Sequence, residues 1–275
     1  MSTDSPSAQT IVLIHGLWLT PLSWEHWKAR FEAAGHRVLA PGWPGIDDRD
    51  VEDLRRDTSA YETIGVTEIA DHYDPIVREL DEPPIIMGHS FGGLITQLLL
   101  DRGLGAAGVA IHPGPIKGVV ILPPSQLKSA WPALKNPANR HRAVMLTPEQ
   151  FHFGFTNTLS EADAKPVYER YAIPGPGRPL FQAGLANFNP HAATKVNLHN
   201  DQRAPLLLTS GSEDHTVPAS TVKASYRLQS KGGRPTEYKE YAGRSHYTAG
   251  EPGWEQVADD ALEWAVNHSR QAAVV

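Results

Sequence analysis

The sequence predicts an α/β fold: a doubly wound, mostly parallel sheet with helices on both faces and a helical cap inserted over the C-terminal edge of the strands. Three observations carry this. Short, near-continuous apolar runs alternate with stretches of helical periodicity, the pattern of a parallel sheet buried on both sides. One of these runs, Ile85-Ile86-Met87, passes through Gly88-His89-Ser90-Phe91-Gly92-Gly93 into the helix-like stretch Leu94 to Leu100. Finally, the long segment between Leu122 and Pro205 holds no strand-like run and is rich in proline and aromatic residues.

Taken in order, Thr10 to His15 reads as the first strand, closed by Gly16. A helix follows from about Ser23, with Trp24, Trp27 and Phe31 at helical spacing, and ends at Gly35. Arg37 to Ala40 is a second strand. Thr67 to Leu80 is helical on Ile69, Tyr73, Ile76, Val77 and Leu80, with Pro75 as a point of kinking or restart. Pro84 to Met87 feeds the glycine-flanked serine, Gly118 to Leu122 is the next strand, and Pro205–Thr209 and Thr236–Tyr241 are the last two. Trp254, Val257, Ala261, Leu262 and Ala265 form the apolar stripe of a closing helix. The domain division follows: residues 1–122 and 201–275 make the core and 123–200 the cap. Phe151, Phe153 and Phe155 alternate, yet Pro148 and Glu149 open a helix-like segment, so their conformation stays open.

Composition narrows the function classes. The chain of 275 residues is 40% hydrophobic, enough for a sizeable core, and its apolar runs are far too short to cross a bilayer. The start, Met1 to Gln9, is Ser/Thr/Pro-rich and acidic, without the basic and apolar regions of a signal peptide. It reads as a short frayed tail, and cytoplasmic localisation is the expectation. The absence of cysteine removes disulfides, thiolate catalysis and zinc–sulfur sites. A net charge of −6 with scattered basic residues, Arg55-Arg56 being the one tight pair and on a solvated helix face, argues against nucleic acid as a partner. No H-E-x-x-H type of spacing occurs, so no metal and no cofactor is expected. The partner that remains is a small-molecule substrate, and the oligomeric state is not legible.

The strand, tight turn and helix around Gly88–Gly92 form a nucleophile elbow centred on Ser90. A serine hydroxyl is a weak nucleophile until a base takes its proton, and the base needs an orienting carboxylate. Asp214 stands just beyond the strand ending at Thr209, and His246 just beyond the last strand. All three therefore lie in loops after different strands of one parallel sheet and converge on one edge. No Asp or Glu occurs between Asp101 and Glu149, so the other loop from which such folds draw an acid is empty. His89 is read as a packed elbow residue, His15 as a loop-structuring donor, and His215 as a neighbour of the acid. The backbone amides of Phe91 and Leu17 are the expected oxyanion donors, with Trp18 in reserve. Trp18, Phe151, Phe155 and Tyr247 are candidate substrate contacts.

These residues together resemble the α/β-hydrolase superfamily from Ile11 through His246. Trp24, Trp27 and Gly35-His36-Arg37-Val38 look like the compact plant-type esterases and hydroxynitrile lyases, which also lack the first two strands of the fuller fold. The resemblance implies a six-stranded sheet in the order 2-1-3-4-5-6. The lyases usually carry threonine after the first-strand histidine and lysine after the catalytic one; Gly16 and Tyr247 stand there, which favours the esterase branch. Epoxide hydrolases and haloalkane dehalogenases use an Asp at the elbow, where Ser90 would give an unreactive ether. The expected function is cleavage of a carboxylic ester, lactone or thioester of a small, largely apolar substrate through an acyl-enzyme. Two alternatives stay open: carbon–carbon bond hydrolysis or perhydrolysis on the same residues, and a ligand-binding receptor on a hydrolase scaffold.

Overall fold

The computed structural model describes residues 8–47 and 49–272. Of the expected frayed start, residues 1–7 lie outside the described residues, and Gln9 is held by its side-chain amide on Ser269 (2.8 Å). Strand β1 (Thr10–Ile14) runs through a 3₁₀ turn (Pro21–Trp24) into α1 (Glu25–Ala33) and β2 (Arg37–Leu39). Helices α2 (Val51–Arg56) and α3 (Val66–Arg78) precede β3 (Ile85–His89), α4 (Phe91–Asp101) and β4 (Ala107–Ile111). Pro75 is accommodated inside α3 as one continuous helix. An insertion follows, with α5 (Pro124–Leu134), β5 (Ala143–Val144), α6 (Pro148–Gly154), α7 (Glu161–Tyr171), β6 (Gly175–Pro176) and α8 (Arg178–Gly184). The chain closes with β7 (Leu206–Gly211), α9 (Ala219–Gln229), β8 (Thr236–Tyr241) and α10 (Trp254–Ala272).

Six strands form one parallel sheet in the order β2-β1-β3-β4-β7-β8, the expected topology once the small antiparallel hairpin β5–β6 is set aside. The inner strands β3, β4 and β7 are buried along their whole length, as a sheet covered on both faces requires. Alternation decides which side each residue serves. Ile11, Leu13, Ile85 and Met87 pack with Trp24, Trp27 and Phe31 of the first helical stretch and with Val257, Ala258, Ala261 and Ala265 of α10. Val12, Ile14 and Ile86 face the other way, onto α3 and α4. That second core runs without a break into the insertion through Phe151, Phe155 and Tyr171.

One expected strand is misplaced. The fourth strand is Ala107–Ile111, and Gly118–Leu122 is irregular, with Val120 81% exposed. The reason lies in packing: helix α4 lies so close that a Cβ on Gly108 would sit 2.5 Å from a Leu100 methyl. The strand's face toward α4, Gly108 and Ala110, is therefore small, and only Val109 and Ile111 carry the β-branched character that signals strands in sequence. Within the insertion, Phe151 and Phe153 lie in helix α6, started by a capping box in which Thr147 and Gln150 satisfy each other's backbone amides. Arg55, expected on a solvated face, instead donates to the carbonyls of Tyr168, Glu169 and Ala172 at the end of α7 (3.0, 2.9 and 2.9 Å). This fastens the insertion to α2.

Candidate active site

Strand β3 ends at His89 and α4 begins at Phe91, so the reversal falls on Ser90 alone, at φ 57° and ψ −121°. Left-handed φ is costly for a residue with a Cβ, and the surroundings fix it. The Ser90 amide donates to Ile111 (2.9 Å), and its carbonyl accepts from Leu94 (3.2 Å) and Gly114 (2.9 Å). The flanking glycines are sterically required. A Cβ on Gly92 would strike the carbonyl of Ile14, one on Gly88 would strike Gly92, and one on Gly16 would lie 2.9 Å from the Ser90 Cβ. The loop after β1 is thus pressed against the serine.

Asp214 and His246 occupy the loops after β7 and β8. Both are buried, and His246 Nδ1 donates to Asp214 Oδ2 at 2.7 Å. The other oxygen, Oδ1, accepts from the amides of Thr216 (2.8 Å) and Val217 (2.7 Å). Burial opposes ionisation of this carboxyl, but the charge and hydrogen bonds of His246 and His112 outweigh it and hold Asp214 well below the usual carboxylate range. An ionised carboxylate only accepts, so this bond carries its proton on His246 Nδ1 and leaves Nε2 as the ring's other nitrogen. Among the described residues that buried Nε2 has no hydrogen-bond partner, Ser90 included. The structure therefore brings His246 to Asp214 directly, and Ser90 next to His89, whose ring lies 4.6 Å from the His246 ring.

Two further histidines shape this edge. His89 Nε2 donates to the His246 carbonyl at 2.8 Å, and burial, helped by His246 and His112, pushes its basicity far down, so it stays neutral. His15 donates from Nδ1 to Gly16 (2.9 Å), accepts from the Trp43 amide at Nε2 (3.1 Å) and stacks on Trp43; burial lowers its pKa to about 4. It is a loop-structuring group, not a base. The His246 loop is tied down by Glu251, whose carboxylate accepts the Ser245 amide and hydroxyl (3.0 and 2.8 Å).

Among the described hydrogen bonds, the Leu17 amide has no protein acceptor, and Phe91 is the first residue of α4, whose N–H has none within the helix. Of the four expected contact residues, Phe155 packs edge-on against His246 (4.9 Å) and Trp18 edge-on against Phe155 (6.1 Å). Phe151 stacks behind Phe155 (4.6 Å) and is fully buried. The Tyr247 ring lies over Gly250 and 6.1 Å from Tyr171, and its amide donates to Phe155 (2.9 Å).

Sequence reasoning passed over His112. It directly follows β4, is fully buried, and donates from Nδ1 to the same Asp214 Oδ2 at 2.8 Å. With the strand placed at Gly118–Leu122, this residue fell outside any post-strand loop; the run Ala107–Ile111 before His112-Pro113-Gly114 was the signal that would have found it. His112, Asp214 and His246 are also the group among the described residues whose donor atoms could gather on a metal, within 4.8 Å of one another. Their 2.7 and 2.8 Å separations are hydrogen-bond lengths.

Known proteins resemble this chain in sequence and in fold. A 94-residue stretch is 32% identical to a carbendazim hydrolyzing esterase of Nocardioides sp. (strain SG-4G), covering 33% of this chain and 35% of that protein. A 109-residue stretch is 30% identical to methylesterase 8 of Arabidopsis thaliana, covering 37% and 36%. The chain thus matches about a third of the length of these relatives. An extracellular α/β-hydrolase from a Paenibacillus species, described as sharing structural and functional homology with tobacco salicylic acid binding protein 2, superposes with a TM-score of 0.67 at 21% identity, over 94% of this chain and 98% of that one. The model of the alpha/beta hydrolase family matches residues 11–260, from the first strand into the opening turns of the closing helix, so the serine turn and the two loops that face it lie inside the match and the chain belongs to that family.

Proposed function

We propose that the protein is a cofactor-independent serine hydrolase of carboxylic esters, lactones or thioesters, with Ser90 as nucleophile, His246 as base and Asp214 as its orienting acid. The observation that carries this reading is the 2.7 Å bond from His246 Nδ1 to an ionised, fully buried Asp214, which leaves the lone pair of Nε2 unclaimed at the edge where Ser90 turns. The esterase names of the two relatives support the same class of reaction. Hydrogen bonds of this kind are often long before substrate arrives and tighten in the complex.

In this reading the Ser90 proton passes to His246 Nε2 as Oγ attacks the carbonyl carbon. The carbonyl electrons move onto oxygen, which the amides of Leu17 and Phe91 receive; each such donor is worth roughly 10²–10³-fold in turnover. The tetrahedral species collapses, His246 returns the proton to the leaving alcohol or thiol, and Ser90 is left acylated. Water repeats the sequence in the same geometry, and the proton ends on Ser90. Asp214 keeps the proton on Nδ1 of His246 throughout and offsets the positive charge that forms there. Residues 123–200 act as a cap over a core of 1–122 and 201–275, with Phe155 and Trp18 as the apolar wall nearest the imidazole and Phe151 and Tyr247 behind them, which suits a largely apolar substrate. No described helix is long and apolar enough to cross a membrane.

A fluorophosphonate probe, with the labelled peptide mapped by mass spectrometry, tests the proposal. Labelling at Ser90, abolished in Ser90→Ala and His246→Ala, is the expected result. An unlabelled or elsewhere-labelled protein would overturn it.

A further inference from the structure

We infer that His112 is a positioning residue of the ester-hydrolysing site: its Nδ1–H locks Asp214 Oδ2 in the orientation that presents the carboxylate to His246. The inference rests on the serine-hydrolase reading above. Asp214 carries four donors, two amides on Oδ1 and two imidazoles on Oδ2, which fill the acceptor sites of a carboxylate. Rotation of the carboxylate would break all four. Without His112, a buried lone pair on the oxygen that faces His246 would lose its partner, and the plane of the group would be held at Oδ1 alone.

Two local features place the ring. His112 adopts φ 47°, one of three non-glycine residues with positive φ among those described, while its amide still closes the ladder to Thr209 (2.9 Å). That turn sends the side chain off the end of β4 toward the loop after β7. On the β7 side, Gly211 leaves the space it needs: a Cβ there would come within 2.8 Å of His112 Cε1 and would strike the Arg244 carbonyl. Strain at one residue and a missing side chain at another converge on one bond, and Asp214 is its recipient. Partners of this kind, one step removed from the reacting atoms, commonly cost 10–100-fold when lost from metal sites, and a loss of about that order is the scale expected here.

The test uses two substitutions and one spectrum. His112→Leu fills the space without a donor, whereas His112→Asn places an amide N–H near the position of Nδ1 and tolerates left-handed φ. Turnover of a chromogenic ester is expected to fall by about 10-fold or more in kcat with KM unchanged in the leucine variant, and to be largely restored in the asparagine variant. Equal kcat in wild type and His112→Leu would overturn the inference. So would equal impairment of both variants, which a purely space-filling role predicts. Should the leucine variant fail to fold, proton NMR of the wild-type protein in water decides: beside those of His15 and His89, two low-field imidazole N–H resonances that are lost in Asp214→Asn are expected, one of which persists in His246→Ala. A single such resonance overturns the inference. A wild-type protein that hydrolyses no ester and is not labelled at Ser90 would sink the serine-hydrolase reading instead, and the two resonances would still report whether His112 holds the carboxylate.

Discussion

His89 donates from Nε2 to the backbone carbonyl of His246 at 2.8 Å across 157 residues of chain. The residue before the serine turn thereby holds the loop that carries the imidazole. In His89→Leu the His246 carbonyl is left buried without this donor, at a cost of about 1–3 kcal/mol. Urea unfolding is expected to show that loss, and ester turnover to drop through kcat rather than KM. Wild-type values for both would mean that the remaining ties, those of Glu251 and of the Tyr247 amide, secure the loop.

The conformation of Ser90 sets chemistry against stability. At φ 57° and ψ −121° glycine is at ease and serine is strained. Ser90→Gly is expected to raise unfolding free energy by about 1 kcal/mol, the relief of strain less the entropy of a freer unfolded chain. Turnover should vanish. A less stable Ser90→Gly protein would show that the turn is not strained.

Acid should destabilise the fold well above the range in which carboxylates titrate. His15 is buried and neutral, with a pKa lowered to about 4, whereas the unfolded imidazole titrates near 6.5. Between these values the unfolded chain binds the extra proton, so stability rises with pH there and is lost as pH falls from about 6.5 toward 4. Between pH 7 and pH 5 the loss from His15 is about 2 kcal/mol, and His89 adds to it in the same direction. Asp214, held low in the folded state, contributes stability above about pH 4 that disappears on further acidification. Denaturant midpoints at pH 7, 6 and 5 measure the first window; a flat profile would contradict the neutral, buried state of these histidines.

Asp214→Asn puts an amide where four donors converge. One of its ends must then face N–H groups, and the imidazoles can meet it only by moving their protons from Nδ1 to Nε2. His246 in that tautomer cannot accept the serine proton. Turnover is expected to fall by up to about 10⁴-fold with the fold retained. Near-wild-type turnover would show that another group orients the base.

Most of the sheet was legible because its strands are apolar on both faces, so Ile11–Ile14, Ile85–Met87 and Leu206–Leu208 stand out without any knowledge of their neighbours. The meeting of Asp214 with His246 followed from the same reading, since each lies just past a strand that the sequence marks clearly. β4 did not, because what selects Gly108 and Ala110 is the close approach of α4, a tertiary demand that favours small residues over strand-like ones. The Val119–Leu122 run looks more like a strand, yet it sits between Gly118, at φ 103°, and Pro123, and ends largely at the surface. That one displacement also hid His112. Arg55 was equally illegible: only the arrival of the last turn of α7 turns a surface guanidinium into a clamp on its carbonyls.

Helix α10 covers a sheet face built from residues as early as Ile11 and Leu13, and it is the final element of the described chain. During synthesis that face, lined early by Trp24, Trp27 and Phe31, waits for its second cover until α10 is made, more than two hundred residues after β1. Long-range closure of this kind is slow and leaves sticky surface in the meantime. Truncations that clip α10 should therefore yield aggregates rather than a smaller folded protein.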